Sequence, residues 1–150
     1  PGMTNQEVQN IINTAGFFWP PDPSSSEFCS VGGNLSCNSA GPRAVKYGTT
    51  RDHVLALTFV TGDGKTIKTG AKTTKSVVGY DFTRLIIGSE GSLGIITEAT
   101  LKLLPLPETK LTAKIIFASI QEATHTITQI MSQPIIPCAL EFIDKSCVWH

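Results

Sequence analysis

The sequence has no surplus of charge: twelve Lys and Arg stand against twelve Asp and Glu in 150 residues. A neutral chain without a basic run offers no electrostatic footprint for nucleic acid or for an anionic membrane surface. No apolar run approaches the ~18 residues of a helical membrane span, and nothing reads as a secretory leader. Histidine is scarce, with three in the chain, and the four cysteines Cys29, Cys37, Cys138 and Cys147 form no C-x-x-C pair. That combination argues against a zinc site. A disulfide framework is poorly supported in a chain of this length with ordinary apolar content. The cysteines read as reduced packing residues, which fits a reducing, cytoplasmic compartment.

What is present is globular: 41% hydrophobic and 16% charged residues, enough to bury roughly 70% of the unfolded surface. The chain begins at Pro1-Gly2 without a methionine and stops at His150. The expectation is a piece of a longer protein.

Residues 4–14 predict a short helix, with Thr4 and Glu7 in capping-box spacing, Val8, Ile11 and Ile12 on one face and Gly16 at the end. Pro20, Pro21 and Pro23 then exclude helix and central strand. Residues 29–50, rich in glycine and small polar side chains, read as a long irregular stretch, and long ordered loops usually carry function. "VLALTFV" (54–60) predicts a buried strand, Asp63-Gly64 a hairpin turn and "TIKTG" the returning strand. "TTKSVVGYDFTRLII" reads as a loop leading into a short helix. From Ile95 onward a strand alternates Ile96, Glu98, Thr100 and Lys102 against Thr97, Ala99, Leu101 and Leu103 until the prolines at 105 and 107. Residues 105–109 read as a linker, after which "LTAKIIFAS", a helix capped by Ser119 with Glu122 at the box position, and "ALEFID" predict a β-α-β unit.

Two stretches carry candidate chemistry. "LIIGSEGSLGIIT" (85–97) places Gly88, Gly91 and Gly94 at three-residue spacing between β-branched runs. Within it, "GSEGSLG" has neither the G-x-G-x-x-G of a dinucleotide fold nor the Gly-Lys-Ser/Thr of a P-loop. Two readings stay open: a backbone nest that approaches an anion or nucleobase, and a tight turn without a ligand. "DPSSSEFCSVGGNLSCNSAG" (22–41) combines a proline bend, serine hydroxyls and a Gly32-Gly33 pair. It suits a chain lying along a phosphorylated ligand, and equally an ordinary surface loop. Arg43, Arg51 and Arg84 are within the range of residues able to meet an anion, with surface pairing as the plainer account; His53 reads as a surface or strand-end residue and His125 as solvated.

Together, "PPDPSS", "SVGGNLSCNSAGPRAVKYG" and "VVGYDFTRLIIGSEGSLGIITEATLKLLP" resemble the vanillyl-alcohol-oxidase-type flavoproteins, and among them the glycolate oxidase FAD subunit and D-lactate dehydrogenase group. The resemblance runs from Pro1 to "ALEFID". It implies an α+β fold: residues 1–108 in an FAD-binding domain, a mainly antiparallel sheet with flanking helices, and 109–150 as the incomplete start of a ferredoxin-like substrate or cap domain. It implies that Pro23, Ser24, Ser25 and Ser30 run near the flavin and its diphosphate. Gly32, Gly33 and Asn34 would let backbone approach FAD, and Asn38, Ser39 and Ala40 would continue the contact. Glu90, Gly91, Ser92, Leu93, Gly94, Ile95 and Ile96 match the stretch that wraps the adenosine and diphosphate side.

The implied activity is oxidation of a small D-2-hydroxy acid, of the glycolate or D-lactate class, to the 2-oxo acid. Electrons would leave to an acceptor such as an iron–sulfur partner subunit or a quinone. No metal site, nucleic-acid partner or transmembrane segment is expected, and the implied location is cytoplasmic, reaching the inner membrane only through a partner. Two motifs of the resemblance are missing here: an earlier glycine-rich diphosphate loop and a downstream histidine and asparagine motif. No catalytic residue is therefore expected within this chain. Alternatives are another branch of the same fold, of the aldonolactone or alkyl-glycerone-phosphate type, and a non-catalytic module that holds FAD.

Overall fold

A computed structural model describes residues 1–75, 77–144 and 146–147. The chain opens with α1 (Asn5–Asn13). Its capping box is formed: Glu7 N–H donates to Thr4 Oγ1 at 3.1 Å, and Thr4 N–H donates to the Glu7 carboxylate at 2.7 Å. Val8 and Ile12, one turn apart, pack against the core, whereas Ile11 stays exposed. The buried face of α1 is completed instead by Asn5, whose amide donates to the Pro21 carbonyl.

β1 (Phe17–Phe18) is a two-residue strand that ends where the prolines begin. It delivers Trp19 into the core, fully buried, with Nε1–H donating to the His53 carbonyl at 3.1 Å. The Gln9 side chain bonds both the N–H and the carbonyl of Trp19. It thereby replaces the ladder partner that the following prolines preclude.

The stretch expected to be irregular contains helix. α2 (Val31–Cys37) and α3 (Ala44–Tyr47) form within it, followed by a 3-10 turn at Thr50–His53. α2 is nearly invisible to propensity because Gly32 and Gly33 oppose it. It is stabilised by position: Ser30 Oγ accepts from Gly33 N–H, and the N-terminal residues pair with its first turn, Val31 N–H donating to Met3 O and Gly32 N–H to Pro1 O. Val31 and Leu35 enter the core.

β2 (Val54–Val60), β3 (Thr66–Gly70) and β4 (Ile95–Leu101) form an antiparallel sheet in the order β3-β2-β4. The Asp63-Gly64 hairpin falls where the sequence places it, with Gly64 N–H donating to Thr61 O and Gly64 at φ +79°. The short helix expected after the 71–81 loop is α4 (Phe82–Ile86).

The alternation expected along β4 breaks at one point. The partners run Thr58↔Glu98 and then Phe59↔Ile96, which leaves Thr97 as an extra residue. A one-residue bulge flips the parity of everything beyond it. Ile96 therefore faces the core together with Ala99 and Leu101, not with Glu98. Leu55 on β2 is the second extra residue, and through it Val54 joins the core with Leu57 and Phe59.

β5 (Leu104–Pro105) pairs with β1, and Leu106 N–H donates to Gly16 O, so the expected linker begins still attached to the first unit. Beyond it α5 (Ile120–Met131) forms, with Ser119 Oγ accepting from Glu122 N–H. The strands expected at 111–119 and 139–144 are not formed: among the described residues these segments enter no ladder, and apolar side chains such as Leu111 and Ile116 stay exposed without a face to pack on.

Gly94 is buried where the turn enters β4; a Cβ there would stand 2.7 Å from both Phe59 Cδ2 and the Val60 carbonyl oxygen. Gly91 has φ +80°, and a Cβ there would meet only Ile95 Cδ1 at 3.8 Å. Gly94→Ala is expected to destabilise by about 3 kcal/mol through overpacking. Gly91→Ala should cost roughly 1–2 kcal/mol from its left-handed backbone alone. Urea unfolding of the two variants reads the difference, and equal losses would contradict this packing.

Candidate functional site

The two stretches singled out in the sequence meet. α2 ends at Asn38, which takes a left-handed backbone (φ 51°) and donates its N–H back to Asn34 O and Leu35 O. Gly88 N–H donates to Leu35 O and Glu90 N–H to Ser36 O, each at 3.0 Å. The glycine turn is thus hung on the C-terminal turn of α2 by two backbone bonds. Among the described residues, Asn38 and Glu90 (φ 52°) are the two non-glycine residues with positive φ, and one lies in each stretch. Left-handed non-glycine residues cost free energy and collect at functional positions.

The junction is braced from a third side. Thr50 gives both its N–H and its hydroxyl to Ser39 O, and Arg51 N–H donates to Asn38 Oδ1 at 2.9 Å. The Arg51 guanidinium then crosses to the glycine turn, Nη2 donating to Ile87 O at 2.8 Å. Gly88, at φ +85°, leaves room for this: a Cβ would lie 3.0 Å from Arg51 Nη2.

The base of the 23–40 stretch is closed as well. Asp22 accepts from Arg43 N–H and pairs with Arg43 Nε, each at 3.1 Å, and a Cβ at Gly41 would collide with the Asp22 carbonyl. Burial pushes the Asp22 carboxyl above its usual range, against the pull of the Arg43 guanidinium.

The expected contact residues divide by place. Pro23, Ser24 and Ser25 form a turn, with Ser24 and Ser25 exposed. Ser30 caps α2; Gly32 packs on Pro1; Gly33 is exposed. Asn34 is buried at 2% exposure, and its Nδ2 has no partner among the described residues. Ser39 holds Thr50, and Ala40 is exposed. Gly91 is half-buried, Ser92 turns its hydroxyl onto Ser89 O, Leu93 and Ile95 are exposed, and Gly94 and Ile96 face the sheet.

The spacing of the three glycines thus has a reason inside the protein: Gly88 admits Arg51, Gly91 supplies a left-handed turn and Gly94 admits β2. The sequence points to the two loops, names Arg51 only as one of three arginines able to meet an anion, and misses the burial of His53. Arg43 and Arg84 pair with carboxylates, as surface arginines do.

His53 is a strand-end residue but not a surface one; it is buried at 5% exposure, with Nε2 2.8 Å from Tyr47 O. A carbonyl partner requires the Nε2–H tautomer, which leaves Nδ1 as a buried acceptor without a donor among the described residues. His125 is exposed, and His150 lies outside the described residues. Among the described residues no group of His, Cys, Asp or Glu is arranged to hold a metal, and no helix is long and apolar enough to cross a membrane.

Residues 1–70 match the model of an FAD binding domain. The chain is 47% identical over 145 residues to the glycolate oxidase subunit GlcD of Bacillus subtilis, covering 97% of this chain and 31% of that protein. It is 44% identical over 147 residues to the D-lactate dehydrogenase of Anaerostipes hadrus, covering 98% and 31% respectively. Among solved structures, an alkyldihydroxyacetonephosphate synthase superposes with a TM-score of 0.75 at 30% identity, over 91% of this chain and 25% of that one.

These matches define a class: residues 1–70 carry an FAD binding domain, and the chain has the mixed helix and antiparallel-sheet fold of an FAD-binding subdomain. Within that class it is a relative of the glycolate oxidase GlcD subunits and D-lactate dehydrogenases, as its motifs imply. The chain spans about a third of the length of these curated relatives.

Burial, the larger influence, lowers the His53 pKa from its ordinary 6.5, and the Tyr47 carbonyl opposes it. As pH falls through about 6.5 the unfolded chain takes up a proton that the folded chain refuses. Folding stability should therefore be independent of this group above that pH and decline below it. His53→Gln should flatten that decline in chemical denaturation at pH 7.5 and 5.5. An unchanged pH slope in the variant would contradict a buried neutral His53.

Proposed function

We propose that this chain forms part of the FAD site of an enzyme that oxidises a small D-2-hydroxy acid, of the glycolate or D-lactate class, to the 2-oxo acid. The observation that carries the reading is the junction itself: the 23–40 and 88–96 stretches joined by the Gly88 and Glu90 bonds to α2. Two buried donors near that junction, Asn34 Nδ2 and Arg51 Nε, lack an acceptor among the described residues. FAD, with its diphosphate and ring carbonyls, is rich in acceptors, so the residues present fit it.

In this reading the turn at Pro23, Ser24 and Ser25, the segment from Ser30 to Asn34 with Asn38, Ser39 and Ala40, and the turn from Glu90 to Ile96 line the cofactor. Gly33 and Gly91 are the positions where a missing side chain leaves the backbone open to it. Bound FAD supplies the hydride acceptor for the hydroxyl-bearing carbon. The residues of this chain bind and orient, and the proton acceptor comes from elsewhere, because His53 is engaged with Tyr47 O and His125 stands on an exposed helix face.

Residues 1–108 belong to the FAD-binding domain in this account, and 109–150 open a substrate or cap domain. A partner subunit or a quinone takes the electrons, and the protein works in the cytoplasm, reaching the inner membrane only through such a partner.

The full-length protein is expected to purify with bound FAD or to take it up, and its flavin absorbance should bleach anaerobically with D-lactate or glycolate more readily than with L-lactate. A folded protein that takes up no FAD would contradict the cofactor role. A yellow protein bleached by no 2-hydroxy acid would favour a branch of the fold that holds flavin for other chemistry.

A further inference from the structure

Arg51 differs from the other arginines of the chain in its partners. Arg43 and Arg84 face carboxylates at 3.1 Å, whereas Arg51 makes no ion pair among the described residues. It is nevertheless the more constrained group. Its backbone N–H is held by Asn38 Oδ1, its Nη2 donates to Ile87 O, and its Nε is buried without an acceptor. A carbonyl oxygen orients a guanidinium but does not neutralise it, and a partly buried cation without a counter-ion is unfavourable unless an anion arrives. The cation stands where the two loops join, beside the left-handed Asn38, with Gly88 lacking the side chain that would crowd it.

We propose that Arg51 is the cation that compensates the diphosphate of the bound dinucleotide while it fixes the Asn38 cap to the glycine turn. This rests on the flavin reading above and adds to it a residue outside both loops. The guanidinium is oriented before the ligand binds by Ile87 O, and its backbone is held by Asn38, so little is lost in ordering it. The charge, unspent within the protein, favours an anionic ligand over a neutral one. A hydrogen bond to a charged group is among the stronger single contributions in a binding site, and its loss is read as a fold-change in affinity.

The test uses the full-length protein stripped of flavin, with FAD as the probe and two variants, Arg51→Gln and Arg51→Lys. Arg51→Gln is expected to weaken FAD binding at least tenfold. Arg51→Lys, which keeps the charge but not the planar fork, should recover most of that loss. FAD affinity should fall with added salt in the wild type and in Arg51→Lys, and less so in Arg51→Gln.

Apo thermal unfolding separates folding from binding. If Arg51→Gln does not fold, the comparison of wild type with Arg51→Lys carries the test. Wild-type affinity in Arg51→Gln would overturn the proposal. So would Arg51→Lys binding FAD more than tenfold more weakly than the wild type, because a purely geometric brace needs the fork and not the charge. A wild-type protein that takes up no FAD would instead fail the flavin reading itself.

Discussion

Two backbone hydrogen bonds, from Gly88 to Leu35 and from Glu90 to Ser36, hold the site together. They join segments about fifty residues apart, and each depends on a local conformation that is costly alone. α2 must form despite its paired glycines, Asn38 must turn left-handed to end it, and Glu90 must do the same to present its N–H. None of these is stable as an isolated peptide choice. They become consistent because Leu35 and Ile87 are both fully buried in the same core, so packing fixes α2 and the glycine turn side by side before either bond is counted.

β2 carries the other half of the constraint. It is the central strand, and its two irregularities do separate jobs. The extra Leu55 brings Val54 to the core and turns the Leu55 carbonyl to Ala71 N–H, which fixes where the 71–81 loop departs. The extra Thr97 opposite Phe59 brings Ile96 inward and draws Gly94 against β2, which fixes where the glycine turn enters. The position of the site therefore follows from side-chain parity in a sheet that itself bears none of the expected contact residues except Ile95 and Ile96.

Much of this was legible in the sequence. The capping box at Thr4, the Asp63-Gly64 hairpin, the strand at 54–60 and the cap at Ser119 each rest on local signals that tertiary packing did not override. The two candidate loops were singled out through their motifs. α2 was not, because a seven-residue helix with two glycines has no periodicity to read, and its support comes from Pro1, Met3 and Leu35 across the fold. The bulge at Thr97 was not legible either, since alternation assumes unbroken register. Arg51 could not be told from Arg43 and Arg84: three arginines able to meet an anion, with surface pairing as the plainer account. The burial of Arg51 and its lack of a carboxylate partner are properties of the assembled junction. His53 was misplaced at the surface for the same reason.

The central claim is that the two loops act as one cofactor-holding unit because they are bonded to each other. Amide hydrogen exchange of the full-length protein with and without FAD tests it most directly. The account predicts that residues 31–40 and 88–96 gain protection together on adding FAD. Protection in neither loop, or in only one of them, would contradict it.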